Sequence, residues 1–183
     1  MLSILIKTIF FFSLSSFLFF AEAKNIGSET GLNIPRFVSL KSDEVNLRVG
    51  SSLNYPKILT YTTKNFPVKI MEEYNTWRKI EDFKGNKGWI HKALLKGDRF
   101  AIINQPYENN LKILNKPKGK IIGEIGKNNI VKINKCIEDW CSINFNNYKG
   151  WIKKNNLWGV SSNEKINVPI YQPIINFIWK FDF

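Results

Sequence analysis

Three side chains of this chain have the chemistry of a base or a nucleophile near neutral pH: His91, Cys136 and Cys141. His91 is the one histidine, and a general base needs a nucleophile or a substrate proton within reach. The sequence offers no serine in a nucleophile elbow and no Cys-x-x-Cys pair beside it. One histidine and two cysteines also do not make a zinc site. The sequence therefore predicts no catalytic residue, no metal and no cofactor, and hence a non-enzyme.

His91 follows a tetrapeptide that occurs twice. Residues 87–90 and 149–152 both have the sequence Lys-Gly-Trp-Ile, but position 153 is a lysine where the first copy has the histidine. This difference favours His91 as a residue at a strand end beside a turn. We therefore expect His91→Ala to leave folding and binding nearly unchanged.

The tetrapeptide belongs to a longer internal repeat with an offset of 62 to 64 residues. "VNLRV" matches "NNLKI", "FPVKI" matches "NIVKI", and "WRKIEDFKGNKGWI" matches "WCSINFNNYKGWI". A period this long in two copies predicts two small tandem domains rather than a solenoid.

Each copy has the pattern of β-structure, with short segments rich in Ile, Val and aromatic residues between Gly, Asn, Pro and Asp. A closed small barrel suits copies of this length, because it leaves few open strand edges. In the first copy we predict a helical turn near 92–95 and strands near 36–41, 45–49, 57–62, 67–73, 76–82 and 87–91.

Period-2 alternation assigns the faces of these strands. Ile80 and Ile90 point into the core, so Trp77 and Trp89 point away from it. The second copy repeats this pattern, with Ile143 and Ile152 inside and Trp140 and Trp151 outside. Outward tryptophans are either covered by other chain, packed between the domains, or exposed as a binding platform.

The segments "VNLRVGSS", "FPVKI", "TWRKIEDFKGNKGWIHKALL", "CIEDWCSINFNNYKGWI" and "LWGV" resemble the bacterial SH3-like (SH3b) domains, in the tandem form of exported bacterial proteins. The resemblance covers about residues 36–160. It implies an all-β fold of two tandem SH3-like small β-barrels, five-stranded, after an N-terminal signal peptide. The expected boundaries are a signal peptide at 1–23, a linker at 24–35, domains at 36–97 and 98–160, and an aromatic tail at 161–183.

The same resemblance implies a binding role, often toward the cell wall or other envelope components. The position of Trp77 is a groove residue in eukaryotic relatives, which bind proline-rich peptides. The turn after "GWIHKALL" lacks the Pro and Tyr of that pattern, so proline-peptide binding is not expected here. The expected ligand-binding residues are Trp77, Trp89, Tyr55, Tyr61, Trp140 and Trp151.

Two close cysteines in an exported chain favour a disulfide. The repeat aligns Cys136 with Glu73 and Cys141 with Arg78. If Glu138-Asp139 is a tight turn, both pairs face each other across a hairpin, although a longer tip is an alternative. We expect a disulfide worth about 2 kcal/mol in one copy, and an exposed ion pair worth roughly 0–1 kcal/mol in the other. The alternative for the cysteines is a redox-active pair.

The N-terminus consists of Lys7, the apolar run "TIFFFSLSSFLFF" and Ala21-Glu22-Ala23, the pattern of a secretory signal. It predicts an exported, periplasmic protein, and an uncleaved membrane anchor is the alternative.

The formal net charge of +12 favours anionic partners. Export argues against nucleic acid, so the expected partners are a cell-wall or envelope component, a protein or peptide, and an anionic membrane surface.

In the tail, Phe177, Trp179, Phe181 and Phe183 alternate with other residues, which predicts a strand with one apolar face. The tail is then either a strap on the barrels or a docking segment.

Two hypotheses follow for the whole chain. One is an envelope binding module that uses its aromatic faces. The other is a structural or assembly protein of the envelope held by its cationic surface and its tail.

Overall fold

The computed structural model describes residues 25–105 and 110–181. Within them it has two antiparallel sheets, each of seven strands, and a single α-helix. The predicted signal peptide at 1–23 lies outside the described residues, as does Phe183. No helix of the described part is both long enough and apolar enough to cross a membrane.

The first sheet forms barrel 1, which contains a single 3₁₀ turn at Lys92–Leu94 and the strands β1 (Arg36–Leu40), β2 (Val45–Arg48), β3 (Lys57–Tyr61), β4 (Pro67–Tyr74), β5 (Trp77–Glu81), β6 (Lys87–His91) and β7 (Leu95–Lys96). The second sheet forms barrel 2, which contains a 3₁₀ turn at Lys154–Asn156 and the strands β8 (Phe100–Ile103), β9 (Leu111–Leu114), β10 (Ile121–Ile125), β11 (Ile130–Ile137), β12 (Trp140–Phe145), β13 (Tyr148–Lys153) and β14 (Leu157–Trp158). Helix α1 (Gln172–Phe181) follows barrel 2.

The two sheets have the same strand order, β3-β2-β6-β5-β4-β1-β7 and β10-β9-β13-β12-β11-β8-β14. The tandem all-β architecture is therefore confirmed, and the six strands predicted for the first copy all form. Each sheet has seven strands rather than the five that the resemblance implied, because the chain that enters and leaves each barrel adds short pairing segments. The domain boundaries that we expected from the sequence stay a prediction.

Alternation along β5 and β6 holds as expected. Ile80 and Ile90 are fully buried in the core of barrel 1, and Ile143 and Ile152 occupy the same places in barrel 2. Gly88 pairs with Ile80 in the β5–β6 register, and a Cβ on this glycine would stand 2.6 Å from the carbonyl oxygen of Arg48 in β2. The repeated Gly-Trp-Ile is thus a structural element: the glycine allows β2 to approach, and the isoleucine fills the core.

Trp158 joins the two barrels. Its ring lies 5.1 Å from that of Phe37 and 6.3 Å from that of Phe83, both edge-on. This residue ends β14, and it packs against barrel 1 rather than into its own core. The aromatic contact between the domains thus involves Trp158 and none of the four tryptophans that the sequence assigned to the outer faces.

Glu73 and Arg78 face each other across β4 and β5, as the repeat predicted. The expectation of an exposed ion pair is wrong, because the side chains of Glu73 and Arg78 are 0 % and 4 % exposed. The segment before β1 covers them. Arg36 donates a 2.6 Å hydrogen bond to the Glu73 carboxylate, and the backbone N–H groups of Glu29 and Thr30 donate to it at 2.9 Å. Glu73 therefore fastens the N-terminal segment to barrel 1.

Cys136 and Cys141 occupy the corresponding positions of barrel 2 and are joined by a disulfide. The register pairs Ile137 with Trp140, so Glu138 and Asp139 form a two-residue turn, with Glu138 at a positive φ of 26°. The tight turn, rather than the longer tip, is therefore what brings the two cysteines opposite each other.

The tail is helical from Gln172, so the prediction of a strand is wrong. The aromatic residues alternate, but Ile170, Ile174 and Ile178 recur every four residues, which is a helical spacing. Pro173 stands in the first turn of α1, where its missing N–H has no intrahelical acceptor. The helix acts as a strap, since Trp179 packs edge-on against Trp151 of barrel 2 at 5.4 Å between ring centroids.

Candidate ligand-binding groove

An open groove lies at one end of barrel 1, beside the first residue of β5. We call it the Trp77 groove; it has a volume of about 610 Å³ and is lined by Ser51, Ser52, Leu53, Thr76, Trp77, His91, Ala93 and Leu94. Trp77 is 8 % exposed and forms the floor, while Leu53 is 73 % exposed at the rim. The lining is mostly apolar with hydroxyl groups at its edge, which suits a ligand with small apolar groups and a polar backbone.

His91 belongs to this groove. It stands directly opposite Trp77 in the β5–β6 register, and the two rings meet edge to face at 5.4 Å. The Nδ1 atom of His91 accepts a hydrogen bond from the N–H of Ala93 at 3.3 Å, which directs the ring. As expected, His91 ends β6 directly before the 3₁₀ turn. Its ring also lines the groove, where a bound ligand would contact it.

Trp89 lies on the same outer face of barrel 1. Its indole is half-buried and meets the exposed ring of Tyr74 edge-on at 6.5 Å. Tyr55 is 48 % exposed in the loop that also carries Leu53, and its ring lies against Gly50. The structure therefore places Trp89 and Tyr55 near the surface, but neither of them lines the Trp77 groove.

Tyr61 does not join the other aromatic residues. It is 8 % exposed within the core of barrel 1, and its hydroxyl donates to the Asp82 carboxylate at 3.1 Å. Burial, together with the neighbouring charge of Asp82, raises the pKa of Tyr61. Asp82 also accepts from the N–H groups of Lys84 and Asn86, so this tyrosine is part of a buried network that shapes the β5–β6 turn.

Barrel 2 has a cleft at the equivalent place. This Trp140 cleft, of about 550 Å³, is lined by Lys118, Asp139, Trp140, Lys153, Lys154, Asn155, Leu157, Val160 and Ser162. Lys153 faces Trp140 across β12 and β13, as His91 faces Trp77, and its ammonium lies 5.9 Å from the indole centroid. The two copies thus keep the tryptophan and exchange the residue above it.

Trp151, the counterpart of Trp89, is 7 % exposed and lines neither the Trp77 groove nor the cleft beside Trp140. Trp179 of α1 packs against one side of it, and the Lys135 ammonium lies 5.2 Å from its ring centroid. The Lys135 ammonium in turn donates to Gln172 of the helix at 3.0 Å. Of the alternatives for the outward tryptophans, cover by the tail is the one that applies to Trp151.

Several lining residues were not expected from the sequence, namely His91, Leu53, Lys118, Lys153 and Lys154. If the alternation is continued two residues beyond Trp89, it places His91 on the same face, beside Trp77; Lys153 has the same relation to Trp140. Leu53, Lys118 and Lys154 lie in loops or in a 3₁₀ turn, where no alternation predicts the direction of a side chain. Within the described residues, no three His, Cys, Asp or Glu side chains cluster so that they could hold a metal ion.

The strand order, the paired hairpins and the groove beside the first tryptophan of each central hairpin define a tandem protein of the SH3 class. The family described as bacterial SH3 domain matches residues 41–97 and 114–159, more than half of the chain. The chain therefore belongs to the bacterial SH3 domain family.

Solved structures with similarity to the chain have low sequence identity to it. NlpC2 from Trichomonas vaginalis is 18 % identical, with a TM-score of 0.32, over 68 % of this chain and 48 % of that protein. An NlpC/P60 family protein from Bacillus cereus is 14 % identical, with a TM-score of 0.30, over 76 % of this chain and 61 % of that one. The endolysin LysPBC5 CBD is 20 % identical, with a TM-score of 0.28, over 66 % and 90 %. The chain thus spans about half the length of NlpC2. No curated protein matches the chain.

Proposed function

We propose that this chain is a non-catalytic exported binding module, and that its Trp77 groove contacts peptidoglycan or a peptide of the bacterial envelope. The observation that carries the proposal is the groove itself. It is preformed, it is floored by Trp77 with His91 against it, and it has an apolar rim at Leu53. Membership of the bacterial SH3 domain family supports a binding role over a catalytic one.

The chemistry of the lining favours contact with an uncharged peptide segment. Thr76, Ser51 and Ser52 supply hydroxyl groups that can donate or accept hydrogen bonds. The Trp77 and His91 rings offer a surface for small side chains. Because no lysine, arginine or carboxylate lines the groove among the described residues, binding there should depend little on salt.

The test is co-sedimentation of the full chain with purified peptidoglycan sacculi. Trp77→Ala removes a buried ring and so affects folding as well as binding. The informative variant is Leu53→Ala combined with His91→Ala, because both changes lie at the surface of the groove. We expect at least about a tenfold loss of affinity, equivalent to about 1.4 kcal/mol. The control is Ile121→Ala, which removes a side chain that is 53 % exposed on barrel 2, outside both clefts.

Three results would contradict the proposal. One is wild-type affinity in the Leu53/His91 double variant. Another is binding that disappears between about 0.1 and 1 M salt, over which the Debye length falls from about 10 to 3 Å, since that marks a purely charge-driven contact. The third is release of soluble fragments from the sacculi by the purified chain, which would show that it is an enzyme instead.

The alternative is a structural or assembly protein of the envelope, and helix α1 favours it. The helix covers Trp151 with one face and exposes large apolar side chains on another, namely Ile174, Phe177 and Ile178, each between 55 % and 65 % exposed. Ile170 and Tyr171, which directly precede the helix, are also exposed. Ile174→Glu with Ile178→Glu leaves the contact with Trp151 in place. Under this alternative, the variant keeps its fold and sacculus binding but no longer co-purifies with an envelope partner or membrane.

A further inference from the structure

We propose that the Trp140 cleft of barrel 2 is a second binding site, which takes ligands carrying a carboxylate next to an apolar group. This inference concerns a different site from the Trp77 groove and does not depend on what that groove binds. Three observations carry it: the charge of the lining, the partly dehydrated ammonium of Lys154, and a wall that barrel 1 lacks.

The lining of the cleft is cationic. It contains Lys118, Lys153 and Lys154 against the single carboxylate of Asp139, a formal excess of two positive charges. Positive charge in a concave, partly apolar site attracts an anion more strongly than the same charge on an open surface. Among the described residues, by contrast, no Lys, Arg, Asp or Glu lines the Trp77 groove.

Lys154 is the buried member of this set, with 6 % exposure. Its ammonium donates to the main-chain oxygens of Ser162 at 3.0 Å and Glu164 at 3.1 Å. An ammonium has three N–H donors, so one is left over among the hydrogen bonds of the described residues. Desolvation lowers the pKa of Lys154, against the opposing charges of Asp139 and Glu164. A dehydrated ammonium with a spare donor gains more from a carboxylate than a hydrated one does.

The same hydrogen bonds build the wall of the cleft. They hold the segment after Trp158, which places Val160 and Ser162 in the lining. An ion pair between Arg99 and Glu164 fastens this segment a second time. In barrel 1 no described residue beyond Leu94 lines the Trp77 groove, so this wall is a feature of the second copy alone.

The arrangement separates two kinds of contact. Trp140, Leu157 and Val160 offer apolar surface on one side, and Lys118 and Lys153 offer charge on the other. A ligand with a short apolar side chain beside a carboxylate matches both. Such a carboxylate occurs at the C-terminus of a peptide and on an acidic side chain, and both are candidates.

The experiment is a titration of the full ¹⁵N-labelled chain, followed by the indole N–H resonance of Trp140 and the amide resonance of Asn155. The probes are N-acetyl-Ala-Ala, its C-terminal amide, and N-acetyl-glutamate N-methylamide. We expect the acid to shift both resonances at about millimolar concentration, and the neutral amide to bind at least about fivefold more weakly. If the glutamate probe binds as the acid does, any carboxylate suffices; if it does not, the site selects C-terminal carboxylates.

Variants assign the charge to the cleft. Lys153→Gln should weaken N-acetyl-Ala-Ala by at least about fivefold, since it removes a charge-assisted hydrogen bond. Lys127→Gln is the matched control, because it removes the same charge from an exposed residue of barrel 2 outside the cleft. The proposal is overturned if acid and amide bind equally, if the Trp140 resonance does not move, or if the two variants lose the same affinity. Leu53→Ala in the Trp77 groove should leave these probes unaffected.

Discussion

Replacing Glu73 with glutamine would show how far a buried carboxylate stabilises barrel 1. The Glu73 side chain is completely buried and receives hydrogen bonds from the backbone N–H groups of Glu29 and Thr30, from the Thr30 hydroxyl and from Arg36. Arg78 lies 3.4 Å away on the neighbouring strand. Glutamine keeps the size of the side chain but removes the charge on which these contacts depend.

The pKa of Glu73 gives the magnitude. Desolvation opposes ionisation, but hydrogen bonds from Arg36, Thr30 and the Glu29 N–H, with the charge of Arg36, lower the pKa from 4.5 to about 2. One pKa unit corresponds to about 1.4 kcal/mol, so the ionised carboxylate adds at most about 3.5 kcal/mol at neutral pH. Because Arg36 is 19 % exposed, solvent screens part of this. We expect Glu73→Gln to lower the free energy of unfolding by about 2 kcal/mol.

The pH dependence has a definite sign. The pKa of Glu73 is lower in the folded than in the unfolded chain, so its stabilising effect is fully present above about pH 4.5. That contribution is lost as the pH falls from about 4.5 to about 2, where the folded protein also takes up the proton. The difference in stability between wild type and Glu73→Gln should therefore be constant near neutral pH and shrink toward zero at about pH 2.

The assay is equilibrium urea unfolding of the full chain, with barrel 1 followed by the indole resonance of Trp77. The control is Glu72→Gln, whose carboxylate is 55 % exposed and paired with Lys79 at 2.7 Å, and for which we expect less than about 1 kcal/mol. The reasoning is refuted if Glu73→Gln matches wild type within about 0.5 kcal/mol, or if the two variants lose the same stability, or if the difference persists at pH 2.

Three further predictions concern the architecture. Gly88→Ala should cost about 1–3 kcal/mol in urea unfolding, since its Cβ would meet a main-chain carbonyl at 2.6 Å, while Gly97→Ala, with open space around it, should not destabilise the chain. Mass spectrometry of protein isolated from its native compartment should find Cys136 linked to Cys141, and changing both to serine should cost barrel 2 about 2 kcal/mol; two free thiols would contradict the linkage. Trp179→Ala should uncover the indole beneath α1 and raise hydrogen exchange throughout the helix, whereas unchanged exchange would show that this contact does not hold the strap.

The strands were predictable because their signals are local or repeated. Alternation placed Ile80 and Ile90 in the core, and the repeat extended the same assignment to the second copy. The facing of Cys136 and Cys141 was equally accessible, since a two-residue turn and antiparallel pairing leave one register. The tail was not predicted correctly, because four alternating aromatic residues suggested a strand while the isoleucines at every fourth position supported a helix.

The candidate site was predictable only in part. The family resemblance predicted Trp77 as a groove residue, and Trp77 does line the groove. His91 could have been found from alternation along β6. Leu53 in the Trp77 groove, and Val160 and Ser162 in the wall of the Trp140 cleft, lie in loops. The positions of these loops depend on contacts with residues far away in the sequence. Tyr61 was also expected at the site, but it packs in the core of barrel 1 with its hydroxyl on Asp82 and does not line the Trp77 groove.

The sequence by itself determined two tandem barrels, their core residues and the pairing of each central hairpin, since these follow from alternation, turn length and repetition. Which outward tryptophans stay accessible was decided by the tertiary structure alone. Trp151 is covered because α1 folds back onto it, while Trp77 and Trp140 each border an opening. The burial of Glu73 was decided the same way, because the segment that covers it lies more than forty residues away in the chain.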